Sequence, residues 1–239
     1  MSTTLATTYL ITGASRGLGL GYTKQLLKSG FRVVAAVRDP VNGIDQLRVV
    51  KEEYGDRLLI LGCDVTIFES VQEAARQLES SRFIEGGGLD VLIANAGVLG
   101  GGFKTPLEFS IQDLQYSLDT NLYGVINSIK GFLPLLRKKE KKQIFVTSSE
   151  VGSFGGKYQE MIQGSAYSIS KTAVNMYLKK LSIELASEGF TVIPFSPGYV
   201  NTDLNSAGGA NGDLEVPEAS EFAIKNVFLP AKKEMNGKF

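Results

Sequence analysis

The stretch ITGASRGLG, from Ile11 to Gly19, decides how the chain folds, and it has two interpretations. Gly13 to Gly17 match G-x-S-x-G, the strand-to-helix elbow that presents a nucleophilic serine in hydrolases. The same stretch, extended to Gly19, matches a glycine-rich turn that holds a phosphate at a helix N-terminus. Both interpretations require a strand before the turn and a helix after it, so residues elsewhere in the chain must choose between them.

Histidine is absent from all 239 residues, and this absence argues against the hydrolase interpretation. In a Ser-His-Asp triad an imidazole takes the proton of the serine, and Ser15 has no imidazole available. The Ser-Lys variants of that chemistry keep the hydrolase alternative open. Zinc sites generally need histidine or several cysteines, whereas this chain has only Cys63, so we expect no metal site.

Charge and composition limit the partners that the chain can have. Twenty-five basic and 25 acidic residues give a formal net charge of zero, so we expect no nucleic acid or acidic membrane surface as a partner. No apolar stretch is long enough to cross a bilayer, and the N-terminus lacks the pattern of a signal peptide. A single cysteine cannot form a disulfide framework, which favours a reducing, cytoplasmic location.

Short apolar runs alternate with longer amphipathic segments along the chain, which predicts strands that alternate with helices. Strands this apolar are typical of a parallel sheet that is covered on both faces. We therefore predict a single-domain α/β fold over residues 1–239, a Rossmann-type doubly wound parallel sheet with helices on both faces. The predicted strands are Tyr9–Thr12, Arg32–Val37, Leu58–Leu61, Leu89–Ala94, Gln143–Thr147 and Thr191–Phe195. The predicted helices are Gly17–Lys28, Ile44–Tyr54, Thr66–Ser80, two within Ser110–Lys138, and Ser165–Ala186.

A polar, glycine-rich segment, Gly208 to Gly212, follows the sixth predicted strand. Ligands bind beyond the carboxyl ends of parallel strands, so this segment predicts a substrate loop at about residues 200–220. An ordinary surface loop is the alternative.

The spacing G-x-x-x-G-x-G from Gly13 to Gly19 differs from the common fingerprint G-x-G-x-x-G. It resembles that of the short-chain dehydrogenase/reductase family. Within the family, YLITGASRGLG, TNLYG and FLPLL resemble fungal ketoreductases of the norsolorinic acid type and sniffer-like carbonyl reductases. Further family motifs occur in order: Asn95-Ala96-Gly97, Asn121 in DTNLYG, Ser149 in VTSSEVG, Tyr167 and Lys171 in Y-x-x-x-K, and Pro197-Gly198 with Val200 and Thr202 just beyond.

Tyr167 and Lys171 are four residues apart, so on a helix they share one face. An ammonium group favours the phenolate, so we expect Lys171 to lower the pKa of Tyr167 from its usual value of about 10. Tyr167 can then exchange the proton that accompanies a hydride. The family resemblance implies that Ser149 orients the substrate oxygen, that Lys171 also holds the nicotinamide ribose, and that Asn121 anchors a water on a proton path.

Two serines compete for the orienting role, and Ser149 is the one that stands three residues before a glycine, Gly152, as in the family. Ser148 is then a structural hydroxyl at the end of the strand. Between Ser149 and Tyr167 the chain is longer than in many relatives, and we expect the extra residues, around 157–163, to bulge over the substrate pocket. Other candidates for the pocket wall are Val98, Phe103, Phe154, Tyr158 and Tyr199.

The end of the second strand distinguishes the two dinucleotides, because an acidic residue there would bind the ribose hydroxyls of NAD. Here Arg38 follows Val37, and Arg16 lies in the glycine motif; together they favour the 2′-phosphate of NADP. Asp39 opposes this assignment, because its carboxylate would repel the phosphate. The other predicted cofactor-binding residues are Gly13, Ser15, Gly17, Leu18, Gly19, Asp64, Val65, Asn95, Ala96, Gly97, Tyr167, Lys171, Pro197, Gly198, Val200 and Thr202.

The resemblance implies an oxidoreductase that reduces a ketone or aldehyde with NADPH, or catalyses the reverse reaction, on a small hydrophobic or aromatic substrate. One alternative is a 3-oxoacyl-carrier-protein reductase, which would need a basic surface near the pocket mouth. A non-catalytic dinucleotide sensor is another, although such proteins typically lose the tyrosine or the lysine. The helices within 110–138 and 165–186 pack between subunits in many relatives, so we expect a homodimer or homotetramer.

Overall fold

The computed structural model describes residues 6–158, 160–206 and 212–239. Its strands are β1 (Thr8–Thr12), β2 (Arg32–Val37), β3 (Leu58–Gly62), β4 (Val91–Ala94), β5 (Gln143–Thr147) and β6 (Thr191–Phe195). They form one parallel sheet in the order β3-β2-β1-β4-β5-β6. The strand order reverses between β1 and β4, which leaves a crevice beyond the carboxyl ends of these two strands.

Helices cover both faces of the sheet: α1 (Gly17–Lys28), α2 (Asp45–Tyr54), α3 (Phe68–Ser80), α4 (Ile111–Leu118), α5 (Gly124–Arg137), α6 (Ser165–Glu184), α7 (Asp203–Ser206) and α8 (Val216–Ala223). Successive side chains of a strand point to opposite faces. Leu10 of β1 therefore packs into the core beneath α3, α5 and α6, whereas Tyr9 and Ile11 pack beneath α1, α2 and α8. The predicted Rossmann-type, doubly wound α/β fold is confirmed; the assignment of residues 1–239 to one domain stays a prediction.

The predicted elements are all present, with small differences at their ends. The helix predicted from Thr66 begins instead at Phe68, because the backbone N–H and hydroxyl of Thr66 donate to Asp64 Oδ1 at 2.9 and 2.7 Å, and this turn precedes the helix. The two helices predicted within 110–138 are α4 and α5. A π-helical turn, Asp119–Tyr123, joins them, and apolar periodicity does not reveal such a turn.

The predicted loop at 200–220 is only partly a loop. Residues 207–211, which include most of the segment from Gly208 to Gly212, lie outside the described residues. Before them, Val200 forms a parallel bridge with Leu214, and α7 follows. After them, α8 begins at Val216, so the prediction of a loop as far as residue 220 is wrong. Pro217 did not prevent the helix, because proline is tolerated in a first turn.

The C-terminal segment closes the β6 edge of the sheet. The backbone N–H and C=O groups of alternate β6 residues point to opposite sides of the strand. Those of Thr191 and Phe195 point toward β5, so those of Val192 and Pro194 point away from the sheet. The N–H of Val192 donates to Asn236 Oδ1 at 2.8 Å, and the N–H of Gly237 donates to the carbonyl of Val192 at 2.8 Å. Within the described part of the chain, no helix is both long and apolar enough to cross a bilayer.

Candidate active site

One cleft of about 750 Å³ lies at the carboxyl ends of the strands. It joins the residues that were predicted to bind a cofactor to those that were predicted to carry out chemistry. Every predicted site residue lines this cleft except Gly19 and Asn121, which are buried behind its wall. The sequence motifs, which are spread from residue 13 to residue 202, therefore form one continuous site.

Side chains beneath it hold the glycine turn in place. Thr12 Oγ1 accepts hydrogen bonds from the backbone N–H groups of Asn95 and Ala96, at 3.0 and 3.2 Å. Asn95 Nδ2 donates to the carbonyl oxygens of Thr12 and Gly13, at 3.1 and 3.4 Å. A Cβ on Gly19 would lie 2.3 Å from the Gly13 oxygen, so no larger residue fits without moving the turn. The Asn-Ala-Gly motif thus supports the turn as well as lining the cleft.

Two arginines lie at the glycine-turn end of the cleft. Arg16 and Arg38 both line it, and both are exposed. Arg16 Nη1 lies 3.7 Å from Asp203 Oδ2, with about three quarters of each side chain exposed (75% and 77%). An ion pair this exposed contributes little free energy, so it holds Arg16 only weakly.

Two carboxylates line the same end, and both bond to their own loops. Asp39 accepts from the backbone N–H groups of Val41 and Asn42, at 2.8 and 3.0 Å, and from Asn42 Nδ2 at 2.9 Å. Hydrogen bonding by Asn42 holds the pKa of the Asp39 carboxyl below its usual range. Asp64 accepts from Thr66, as described above. These carboxylates therefore shape the loops that follow β2 and β3.

Tyr167 and Ser149 meet at the opposite end of the cleft, where the hydroxyl of Ser149 is close enough to act on the pKa of the Tyr167 phenol. The neighbouring Ser148 is buried and donates to Asn175 Oδ1 at 2.6 Å. Ser149 thus lies next to Tyr167, whereas Ser148 packs against α6. This arrangement agrees with the choice of Ser149 over Ser148.

Lys171 is buried next to Tyr167. Its Nζ donates to the carbonyl of Thr147 at 2.8 Å and lies 5.4 Å from the centre of the Tyr167 ring. Burial lowers the pKa of Lys171 to about 8. Burial also raises the pKa of Tyr167 to about 12, while the nearby Ser149 hydroxyl acts in the opposite direction. The expectation of a Tyr167 pKa below its usual value is therefore wrong for this structure, because loss of solvent is the largest influence on the phenol.

Asn121 lies in the π-helical turn and is fully buried. Its Nδ2 donates to the carbonyl of Val98 and to Ser170 Oγ, both at 2.9 Å, and its Oδ1 accepts from the Val98 N–H at 2.9 Å. Ser170 in turn donates to the carbonyl of Tyr167 at 2.7 Å. Asn121 therefore ties the turn after β4 to the helix that carries the tyrosine, and it acts from behind the cleft wall.

The rest of the wall around Tyr167 is apolar or aromatic. Val98, Phe103, Tyr158 and Tyr199 line the cleft as predicted. Phe154 does not: its side chain is 91% exposed and lies outside the cleft, so that prediction is wrong. The extra residues at 157–163 contribute Tyr158 and Met161 to the wall. Among the lining residues that sequence reasoning did not single out are Leu99, Tyr116, Glu150, Val151 and Leu204.

Comparison with known proteins identifies the class. Residues 7–211 match the family model described as short chain dehydrogenase. An uncharacterized oxidoreductase of Schizosaccharomyces pombe is 35% identical over 223 residues, which cover 93% of this chain and 85% of that protein. The NADPH-bound carbonyl reductase from chicken fatty liver is 27% identical with a TM-score of 0.87, over 98% of this chain and 95% of that one. Carbonyl reductase Sniffer of D. melanogaster is 28% identical with a TM-score of 0.86, over 97% of this chain and 95% of that one.

The chain therefore belongs to the short-chain dehydrogenase family, and it is an oxidoreductase of that family. The resemblance found in the sequence motifs is confirmed. The similarity to carbonyl reductases extends over almost the whole chain, including the segments that line the cleft.

Proposed function

We propose that this protein reduces a ketone or an aldehyde to an alcohol with NADPH as the hydride donor, and catalyses the reverse reaction with NADP⁺. The observation that carries the proposal is the composition of the cleft. A neighbouring pair of hydroxyls, Ser149 and Tyr167, shares one cavity with a glycine turn and two arginines. The fold-wide similarity to carbonyl reductases, one of them NADPH-bound, supports the same reaction.

The residues present fit a dinucleotide phosphate. The glycine turn leads into α1, whose N-terminus offers unpaired N–H groups and a partial positive charge to a diphosphate. Arg16 and Arg38 would pair with the 2′-phosphate, and Asp64 and Val65 would lie along the adenine. When bound, the cofactor supplies or accepts the hydride.

The chain's own residues would handle the proton and the substrate oxygen. Tyr167 Oη gives its proton to the carbonyl oxygen as that oxygen gains negative charge. Ser149 Oγ donates a hydrogen bond to the same oxygen and so fixes its position. Lys171, mostly protonated at neutral pH because its pKa is about 8, stabilises the phenolate that remains. Asn121 keeps α6 in register by holding Ser170 behind the tyrosine.

The substrate is proposed to be a small hydrophobic or aromatic carbonyl compound, because Val98, Phe103, Tyr158 and Tyr199 form the wall near Tyr167. The proposal includes no nucleic-acid partner, in keeping with the zero net charge. A cytoplasmic location stays a prediction that rests on the single, buried Cys63.

The test is consumption of NADPH by the purified protein with a panel of ketones, aldehydes, quinones and 3-oxoacyl thioesters, with NADH in parallel. We expect turnover of aromatic ketones and a preference for NADPH. Tight NADPH binding without turnover of any carbonyl compound would instead favour the sensor alternative. Turnover of the thioesters alone would favour the carrier-protein reductase.

We also propose that the protein forms a homodimer or homotetramer through α6. Ile169, Met176 and Ile183 are seven residues apart, so they form one stripe on this helix, and all three are exposed. Light scattering after size exclusion tests the proposal. Met176→Glu should shift the protein toward the monomer, whereas Ile67→Glu, at an exposed apolar residue away from this helix, should not.

A further inference from the structure

Glu150 follows Ser149 directly and lines the cleft, and the proposed reaction gives it no role. It begins a short 3₁₀ turn, Glu150–Gly152, that is packed tightly against α6. A Cβ on Gly152 would lie 2.8 Å from the Lys171 backbone, and Thr172 Oγ1 donates to the Gly152 carbonyl at 3.1 Å. The close contact between Gly152 and α6, two residues after Glu150, therefore fixes the backbone at Glu150.

The carboxylate of Glu150 has no partner among the described residues. Neither a hydrogen bond nor an ion pair engages it there, although its backbone carbonyl accepts from the N–H of Ser153 at 3.0 Å. By contrast, Asp39 and Asp64 bond to their own loops, and Asp203 pairs with Arg16. Glu150 is therefore the one cleft-lining acid in the described chain that no local contact accounts for.

The position of Glu150 separates it from the other charges of the cleft. Asp39, Asp64 and Asp203 lie with the two arginines at the glycine-turn end, which the cofactor accounts for. Near Ser149 the only other charged residue lining the cleft in the described chain is Lys171, and its ammonium bonds to Thr147. The substrate half of the cleft therefore has one acidic group without a counter-ion.

Aromatic rings line the cleft together with Glu150. Tyr116, Tyr158 and Tyr199 all contribute to its wall. A cation is attracted to the face of such rings, and Lys157 Nζ already lies 5.1 Å from the centre of the Tyr158 ring. Carboxylate and tyrosine rings together form the kind of surface that binds an ammonium group.

We propose that Glu150 selects substrates that carry a positive charge, such that the preferred substrate is an aromatic ketone with an ammonium group. The inference rests on the proposed ketone reduction and specifies its substrate class. The carbonyl binds at Ser149 and Tyr167, and the ammonium group lies against Glu150 and the tyrosine rings. No bond to Glu150 forms or breaks, so its effect is on binding and orientation.

The test compares two ketones of closely matched shape, 4-(trimethylammoniomethyl)acetophenone and 4-neopentylacetophenone, in which a methylene group insulates the ring and its carbonyl from the charge. We expect the wild-type enzyme to show a kcat/KM about tenfold higher for the cation, in line with an ion pair plus cation–π contacts. In Glu150→Gln this ratio should fall to about one. In Glu160→Gln, which removes an exposed charge outside the cleft wall, the ratio should stay as in the wild type.

A second measurement separates this inference from the proposed function. Calorimetric titration of both ketones into the NADP⁺ complex gives the ratio of their dissociation constants without any turnover. Suppose that neither ketone is reduced but that the cationic ketone binds about tenfold more tightly, and only when Glu150 is present. The proposed ketone reduction would then be refuted, and the proposed cation-binding role of Glu150 would be supported. The proposed cation-binding role of Glu150 would be refuted by equal affinities for the two ketones, by no binding of either ketone, or by an unchanged ratio of dissociation constants in Glu150→Gln.

Discussion

The two ends of the cleft are built in different ways. At the glycine-turn end, Asn95 donates to main-chain oxygens of Thr12 and Gly13, Thr12 accepts from the main-chain N–H of Asn95, and Gly19 leaves no room for a side chain. At the other end, the wall beyond Ser149 and Tyr167 consists of side chains such as Tyr158, which lies in a turn, and Tyr116, which lies on α4. The first end is set by backbone geometry and the second by side-chain identity.

This difference explains why membership of the family indicates the cofactor more firmly than the substrate. Backbone contacts survive most substitutions, so the turn that holds a dinucleotide recurs wherever the fold recurs. Side chains on loops change without disturbing the sheet, so the substrate wall diverges between relatives. The following predictions test the contrast, from the largest expected effect to the smallest.

Replacing Tyr167 with Phe should lower kcat by about a thousandfold, because general acid catalysis contributes about 10²–10⁴ to the rate. NADPH affinity should change little, since the ring is retained. Rates and cofactor affinity are measured by NADPH consumption and by calorimetry. The control is Tyr158→Phe, which removes a hydroxyl from the substrate wall and should leave kcat within a few-fold of the wild type. A Tyr167→Phe enzyme with wild-type kcat would refute the proton donor.

Replacing Gly19 with Ala should damage the glycine-turn end alone. The new Cβ would lie 2.3 Å from the Gly13 oxygen and 2.7 Å from Asn95 Nδ2, so the turn must move. We expect the free energy of unfolding to fall by about 1–3 kcal/mol and NADPH affinity to fall at least about tenfold, as measured by urea denaturation and calorimetry. The control is Gly155→Ala, at an exposed glycine outside the cleft with open space around it, and it should change neither. Equal effects of the two variants would show that the packing around Gly19 is not what holds the turn.

The buried Lys171 should make stability depend on pH in a defined window. Its pKa is about 8 in the folded chain and near the ordinary value of 10.5 when unfolded, so between these values the unfolded chain binds more protons. Stability should therefore rise with pH there. From pH 8 to 9.5 the free energy of unfolding should increase by up to about 2 kcal/mol relative to Lys171→Met, as followed by urea denaturation. An identical pH dependence in the two proteins would show that the lysine is not desolvated.

The smallest effect is expected at Arg38, which is exposed. Arg38→Ala should weaken NADPH binding by about tenfold through loss of charge-assisted hydrogen bonds, and it should leave NADH binding almost unchanged. The control is Arg76→Ala, an exposed arginine on α3 that pairs with Glu73 and lies outside the cleft. Equal losses for the two cofactors would mean that Arg38 does not recognise the 2′-phosphate.

Sequence patterns predicted the sheet and the positions of the motifs because both depend on local signals. Continuous apolar runs such as Val33–Val37 identify buried strands, and the glycine spacing identifies the turn. The order of the motifs then predicted that Gly13, Asn95 and Tyr167 would line one cleft, and they do.

Features that depend on three-dimensional surroundings were not predictable. The direction of the Tyr167 pKa shift follows from how deeply the phenol is buried, which residue spacing does not give. The helix at Val216–Ala223 was missed because its proline and its short length resemble a loop. Glu150 was not singled out, although it lies within VTSSEVG, because the sequence does not show which side chains lack a partner in the folded chain.

The closed β6 edge bears on how the protein behaves at high concentration. A strand with unpaired N–H groups at the rim of a sheet is a template on which another chain can polymerise. Here Asn236 already occupies the N–H of Val192, and Pro194 has none to offer. This edge of the sheet is therefore protected against the strand-to-strand association that forms amyloid-like fibrils. The protection comes from Asn236 and Pro194 and involves no charged side chain.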